Sequence, residues 1–334
     1  MALVRSRARG DDTFMRSALQ FIGRAVRETT EVNNLEQWML RAMARAMVMC
    51  VLTHSPIVEA SDYSPSVPTI HPTAIIEGDV TLADDVVIGP WCHLMGTLGA
   101  ITVGSGTVLR SRVQLEGPLT LGENNTLCAN VCLGCAPQDL GTPMSFVGPG
   151  VIIGSRNVFR EGVTVSRPKW EKPGRIGNDN YWMTNSHAGH DCIIGNNCIF
   201  GNGTLFAGHC EIADRVITGG SAGLQQFVRV GRGAFIGGLS AATLDVCPFF
   251  MVLTVNHARA INVIGMRRAG IPSASIDAAR WAFKTLCHGR MPPKRALEVL
   301  RTRAGDPMID EYISFIESSK RGIVIARGRH EKSQ

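Results

Sequence analysis

The sequence predicts an all-β solenoid: a parallel β-helix of hexapeptide coils, closed at its C-terminal end by α-helices. Three observations carry this expectation: a six-residue period, glycines in phase with it, and helical spacing after Pro248. From Arg175 to Ala242 large or aliphatic residues, with an occasional small one, recur at every sixth position. They are Ile176, Trp182, Ala188, Ile194, Phe200, Phe206, Ile212, Thr218, Leu224, Val230, Ile236 and Ala242. Neither a helix period of 3.6 nor strand alternation produces this pattern. A β-helix does, because each short strand supplies one inward residue per flat face. Glycine follows the core residue at Gly177, Gly189, Gly195, Gly201, Gly231 and Gly237. Asn178, Asp179, Asn196 and Asn197 suit corners that need positive φ.

Composition agrees. A chain of 334 residues accommodates one large domain and a smaller one. Hydrophobic residues make up 45% and aromatics only 6%, which suits a core of Ile, Val, Leu and Ala. The net charge of +6 comes without a dense Lys/Arg run, so nucleic-acid binding is not expected. Ten cysteines are scattered, several at or beside core positions, and read as buried free thiols in a reducing compartment. Cys128, Cys132 and Cys135 lie close together, but no second cluster accompanies them to make a zinc site.

In chain order, residues 1–69 form an N-terminal extension, 70–248 the β-helix domain, and 249–334 a C-terminal α-helical domain. The extension has eight arginines and no lysine, and its acidic residues offset them almost completely. Helices are expected near Thr13–Arg27 and Leu35–Leu52. The second carries Leu35, Trp38, Met39, Met43, Met47 and Val51 on a wide apolar face. It is too short and too charged for a membrane span. An organelle transit segment and a docking segment for a membrane surface or a larger complex are the two readings. The compartment follows the source: cytoplasmic for a bacterial chain, mitochondrial for a eukaryotic one. Ser61–Pro68 reads as a linker.

The hexapeptides start at Ile70, shift phase after Leu94, resume at Val103, and break at Ala136–Gly150 and Arg167–Gly174. Extra residues cannot fit the coil, so both breaks must leave as surface loops, which usually carry function or subunit contacts. Helical patterns near Ser273–His288, Pro293–Ala304 and Met308–Ser318 form the cap that an exposed strand end requires.

The chemistry-bearing residues cluster in the central coils. In the run Asn185-Ser186-His187-Ala188-Gly189-His190-Asp191-Cys192, Ala188 points inward and both histidines can point outward. At eighteen residues per coil, three hexapeptides, His190, Gly208 and Gln226 fall in register, with His209 one residue off that line. His190, His209 and Gln226 are therefore expected to form a polar ladder of about 10 Å, two strand spacings. His190 beside Asp191 is a candidate general base held by a carboxylate. The chain has no G-x-S-x-G, P-loop or dinucleotide fingerprint.

These residues resemble the UDP-N-acetylglucosamine O-acyltransferase family of the lipid A pathway. The resemblance rests on the run around His187 and His190, then Phe206-Ala207-Gly208-His209-Cys210, and Gln225-Gln226-Phe227. Ala136-Pro137-Gln138-Asp139-Leu140, Asp245-Val246-Cys247-Pro248 and Asn256-His257-Ala258 extend it over about Ile70–Arg327. It implies a homotrimer of left-handed β-helices with active sites between subunits. The implied reaction moves a 3-hydroxyacyl chain from acyl carrier protein to the sugar 3-hydroxyl of a UDP-amino-sugar, without a cofactor or metal. By the same resemblance His190 would deprotonate the hydroxyl and Asp191 would orient it. Gly208 would face the thioester oxyanion. His187, His209, Gln138, Asp139 and Gln226 would hold the sugar and acyl groups. Gly238 would end the acyl groove, and Asn262, with Arg267 and Arg268, would lie on the nucleotide side.

Departures from the family pattern set the alternatives. Gly141 stands in place of a Lys, Ser166 and Gln225 in place of His, Ile264 in place of an acidic residue and Ala269 in place of an Arg. Each lost charge-assisted hydrogen bond costs about 1.5–3 kcal/mol. A catalytically weakened trimeric scaffold, a subunit docked through residues 1–69 into a larger complex such as one of a mitochondrial membrane, is therefore the second reading. A γ-carbonic-anhydrase-like zinc protein is the third; it needs three converging histidines and lacks the usual H-x-x-x-x-H run here.

Overall fold

The computed structural model describes residues 67–289 and 291–326; both expected N-terminal helices and residues 61–66 of the linker lie outside the described residues. From Thr69 the chain coils into a left-handed parallel β-helix with three flat faces. One face is an eleven-stranded sheet running from Thr69–Ile70 to Phe250–Val252 and then Ala258–Ile261, the last strand antiparallel. The other two faces join in one sheet, because the long strand His93–Val103 turns a corner and pairs on both sides of it. No helix among the described residues is long and apolar enough to cross a membrane.

The hexapeptide period does the folding work. All twelve in-phase residues from Ile176 to Ala242 are buried at 4% exposure or less. Each buried Ile, Leu or Phe contributes about 1.5–3 kcal/mol, so a long column of them outweighs the ordering of many two-residue strands. Phe159, Trp182, Phe200 and Phe206 fill the middle of the prism, with Trp182 4.4 Å edge-on to Phe200. The indole N–H of Trp182 is the one buried side-chain polar atom among the described residues without a hydrogen-bond partner. An aromatic face is a weak acceptor for such a group.

Register explains how loops are tolerated. In regular coils the offset is 18 residues, as in Tyr181 with Ile199 and Ile199 with Ile217. Thr126 instead pairs with Val158, and Val158 with Tyr181. The surplus residues leave at corners as loops 136–150 and 167–174, so coils on either side keep their alignment. Arg167, fully buried, ties both loops to the coil. Its Nη1 donates to Glu116 Oε2 at 2.7 Å and to Gly134 O at 2.7 Å, and its Nε to Phe146 O at 2.9 Å.

Two boundaries differ from expectation. Parallel pairing continues past Pro248, because Phe250–Val252 still lies beside Phe235–Ile236 after the six-residue period has lapsed. A short helix α1 (Val263–Arg268), not expected from the sequence, precedes α2 (Ser273–His288), α3 (Pro293–Arg301) and α4 (Pro307–Glu317). These helices cover the last coil. Phe250 packs 5.1 Å from Phe283, Tyr312 donates its hydroxyl to Pro248 O at 2.9 Å, and Arg232 grips Glu311 at 2.6 and 2.7 Å. All nine described cysteines are free.

Candidate active site

The site is built at the corner that follows each strand of one face. Residues 191, 209 and 227 are 18 apart and occupy the same corner slot, with φ of 62°, 62° and 65° at Asp191, His209 and Phe227. A histidine or phenylalanine rarely adopts this left-handed region, which costs roughly 1–3 kcal/mol. The coil holds it there through His209 N–H to His190 O at 2.9 Å and Phe227 N–H to Gly208 O at 3.1 Å.

His190, only 5% exposed, bonds through Nδ1 to Asp191 Oδ2 at 2.7 Å. The Asp191 carboxylate also accepts the main-chain N–H of Lys169 at 3.2 Å and of Trp170 at 3.0 Å. Three donors therefore fix this carboxylate, and it fixes the imidazole. The Nε2 of His190 pairs with no described residue. Gly208 explains where the ring fits: a Cβ built there would lie 2.5 Å from His190 Cε1 and 2.7 Å from Nε2. Any side chain at 208 would displace the imidazole. The Gly208 N–H donates to none of the described residues.

His209 closes the far side. Its ring stacks on Phe227 at 4.3 Å and 2°, lies 4.0 Å from Trp170, and meets His190 at 4.9 Å. Its Nε2 is 3.8 Å from Asp191 Oδ2. Burial in this aromatic sandwich lowers its pKa below 6.5, with Asp191 opposing and His190 adding to the shift. The His187 pKa is likewise lowered, by desolvation first and by His190 second, while its Nδ1 sits 2.8 Å from Thr164 Oγ1. In the first loop Asp139 Oδ2 meets Lys169 Nζ at 2.7 Å and accepts from Thr142 Oγ1 at 2.8 Å; these contacts, Lys169 foremost, lower its pKa to about 2.

The expected ladder is present with a different third rung. His190 and His209 come together, but Gln226 is exposed, and its carbonyl takes Arg321 Nη1 at 2.7 Å. Phe227 takes the rung because the positive-φ corner turns residue 227, and not 226, onto His209. Gln138 is exposed beside Asp139. Gly238 belongs to the corner of Gly220, one edge away from His190, where Ser240 Oγ donates to its carbonyl at 3.3 Å. Asn262 is occupied within the fold: Oδ1 caps α1 at Gly265 N–H, 2.9 Å, and Nδ2 donates to Gly233 O at 3.0 Å. Arg267 and Arg268 are exposed on the last turn of α1.

Lys169, Trp170, Phe227 and Thr164 were not anticipated individually. The signal available for Phe227 was an aromatic residue in a slot that other corners fill with Asn185, Gly203, Asn197 or Gly233. His190, Asp191 and His209 also bring three metal-type donor atoms within 4.8 Å of one another. The short His190–Asp191 bond aims two of those donors at each other and not at a common centre.

A solenoid of hexapeptide coils with an imidazole–carboxylate pair at a glycine corner defines a hexapeptide-repeat transferase. The family model for bacterial transferase hexapeptides (six repeats) matches residues 173–208, and that for UDP N-acetylglucosamine O-acyltransferase, domain 2, matches residues 245–324. The acyl-[acyl-carrier-protein]–UDP-N-acetylglucosamine O-acyltransferase of Stenotrophomonas maltophilia is 38% identical over 264 residues, spanning 77% of this chain and 98% of its own. The enzyme of the same name from Campylobacter concisus is 31% identical, over 78% and 98%. Among solved structures, the Francisella novicida UDP-N-acetylglucosamine acyltransferase superposes with a TM-score of 0.72 at 29% identity, covering 78% of this chain and 95% of that one. The Acinetobacter baumannii protein gives 0.71 at 34%, covering 76% and 99%. The chain belongs to the acyl-[acyl-carrier-protein]–UDP-N-acetylglucosamine O-acyltransferase family.

Proposed function

We propose that this protein transfers a 3-hydroxyacyl chain from an acyl-carrier-protein thioester to the 3-hydroxyl of UDP-N-acetylglucosamine, the opening step of lipid A synthesis, with the carrier thioester as donor and no cofactor. The observation that carries the reading is His190, held at Nδ1 by Asp191 and with no described residue on Nε2. An alcohol proton is far too weakly acidic to leave unaided at neutral pH, and a placed imidazole contributes roughly 10²–10⁴-fold. In the proposed step Nε2 takes the hydroxyl proton as the oxygen attacks the thioester carbon. The tetrahedral oxyanion faces the Gly208 N–H, and collapse expels the carrier thiolate, which recovers the proton from His190. In this reading His187, His209, Gln138, Asp139 and Gln226 hold the sugar and acyl groups, Gly238 ends the acyl groove, and Asn262, Arg267 and Arg268 lie on the nucleotide side.

The assembly proposed is a homotrimer. Outward residues of the eleven-stranded face form a mostly apolar column, Val87, Val108, Val158, Ile199, Ile217 and Phe235, interrupted by Thr126 and Tyr181, and all of them are half-buried. Leu140, Met144 and Trp170 project openly from the two loops. Such surface on a solenoid is what a second copy buries. Gly238 and His190 sit on different edges, a span that a groove between packed copies bridges. Docking to a membrane or larger complex is assigned to residues 1–69.

The test is transfer from 3-hydroxyacyl carrier proteins of several chain lengths to UDP-N-acetylglucosamine by wild type, His190→Ala and Gln225→His. Wild type should acylate, His190→Ala should fall to background with unchanged trimer mass and melting temperature, and Gln225→His should hold or exceed wild type. No transfer by wild type with any donor overturns the enzyme reading in favour of the scaffold.

A further inference from the structure

Beyond the Arg167 contacts to Phe146 O and Met144 O, a second residue joins the two loops. Lys169 is the second residue after the buried Arg167, and its Nζ reaches Asp139 Oδ2 at 2.7 Å across the gap between loops. Its own main-chain N–H donates to Asp191 at 3.2 Å, and the next ring, Trp170, lies 4.0 Å from His209. An ordinary surface ion pair contributes little, because two long side chains must be immobilised for it. Here the lysine stem starts from a backbone already pinned to the carboxylate behind the catalytic imidazole, so little is left to immobilise. Composition sharpens the point. Six of the 34 Lys and Arg residues are lysines, and the two within the β-helix, Lys169 and Lys172, both lie in this loop. Lys172 forms no ion pair among the described residues, whereas Lys169 does.

Asp139 Oδ2 is thus taken twice, by Lys169 Nζ and by Thr142 Oγ1 at 2.8 Å, and the Gly141 main-chain N–H also faces the carboxylate, while no described side chain donates to Oδ1. A carboxylate clamped at one oxygen offers the other as an acceptor in a set direction. We propose that Lys169 is a positioning residue for the sugar acceptor: by clamping Oδ2 it aims Asp139 Oδ1 at a sugar hydroxyl or amide N–H, and through its main chain it keeps that carboxylate in register with the His190–Asp191 pair. This rests on the acyltransferase reading. It also assigns a purpose to Gly141. A Cβ built there lies 3.8 Å from Asp139 Oδ2 and touches nothing else within 4 Å, so a lysine at 141 can deliver the same ammonium from the other side.

The experiment compares wild type, Lys169→Met, Lys169→Arg and the Lys169→Met/Gly141→Lys double variant. It reads kcat, the KM for UDP-N-acetylglucosamine, and calorimetric binding of that nucleotide sugar. Lys169→Met should raise KM and Kd about 10–100-fold, the loss of one charge-assisted contact, while kcat falls less than about threefold because the main-chain donors to Asp191 remain. The double variant should recover most of the affinity, and Lys169→Arg part of it. Wild-type KM in Lys169→Met overturns this inference alone. So does a loss that neither second variant repairs, since that assigns the effect to the loop backbone. A wild type that neither binds nor acylates the sugar nucleotide overturns the acyltransferase reading and this inference with it.

Discussion

Two columns of polar side chains climb this β-helix, and they are finished differently. Beside the eleven-stranded face, Thr107, Asn125, Asn157 and Asn180 stack one per coil, all at 1% exposure or less. Asn125 Oδ1 accepts from Asn157 N–H, Asn157 Oδ1 from Asn180 N–H, and Asn180 Oδ1 from Cys198 N–H, at 2.8–3.0 Å. Their amide groups donate in turn to Gly122, Gly154, Gly177 and Gly195 carbonyls. The other column, Asp191 and His209 with His190 leaning over Gly208 and Phe227 as its last rung, ends in a nitrogen that no described residue partners. A polar ladder whose members satisfy each other is scaffold; one with an open end costs stability and is kept where a ligand closes it.

Arg167 should show the largest effect, because it belongs to both kinds of structure: a fully paired buried cation that supports the open site. Arg167→Met leaves Glu116 Oε2, Gly134 O and Phe146 O without this donor. It should cost about 3–5 kcal/mol of stability and most of the transfer activity together. Chemical denaturation and an activity assay on the same preparation check this, and loss of activity at full stability would separate the two roles. Gly208→Ala comes next and touches the open column alone. With the added carbon 2.5 Å from the His190 ring, kcat should drop about 100-fold while the urea midpoint changes little.

Asn157→Ala is the mirror experiment. It orphans the Asn180 N–H and the Gly177 carbonyl. Each orphan costs about 1–3 kcal/mol, so the melting temperature should fall while kcat per folded trimer holds. A change in kcat here would erase the distinction between the columns. The smallest effect is acid sensitivity, which only the histidine column can have. His187 and His209 both have pKa values lowered by burial below 6.5. The unfolded chain therefore binds protons first as pH falls, and stability that is full above 6.5 is lost through the lower folded values. Replacing both by Gln should flatten that limb of a melting-temperature profile. The Asp139 contribution lies in a separate window, from 3.8 down to about 2.

Much of this was legible in the sequence because the hexapeptide period reports burial directly: Trp182, Ala188 and Thr218 are unlike in size yet all buried, as their phase requires. His190 and Asp191 were legible as neighbours, and His209 by its near-coil spacing. Lys169 and Trp170 were not, since they precede Asp191 by 22 and 21 residues and reach it only after the loop folds back. Phe227 was missed for a geometric reason. A strand register assigns sides by alternation, and the left-handed corner at 191, 209 and 227 breaks that rule by one residue. Phe250–Val252 was missed because its alignment with Phe235–Ile236 comes from pairing, with the six-residue phase already gone.

The 18-residue offset of the regular coils has a consequence for how such a chain can change over evolutionary time. Every contact at the His190 corner comes from neighbouring coils and the two loops that leave them, and coils farther along see this corner only through the stack. A duplication or deletion of one whole coil near either end would move the cap and the molecule's length in a single step while leaving the corner as it was. Length and chemistry can then be selected separately, and inserted segments such as 136–150 enter at an edge without asking any other coil to move.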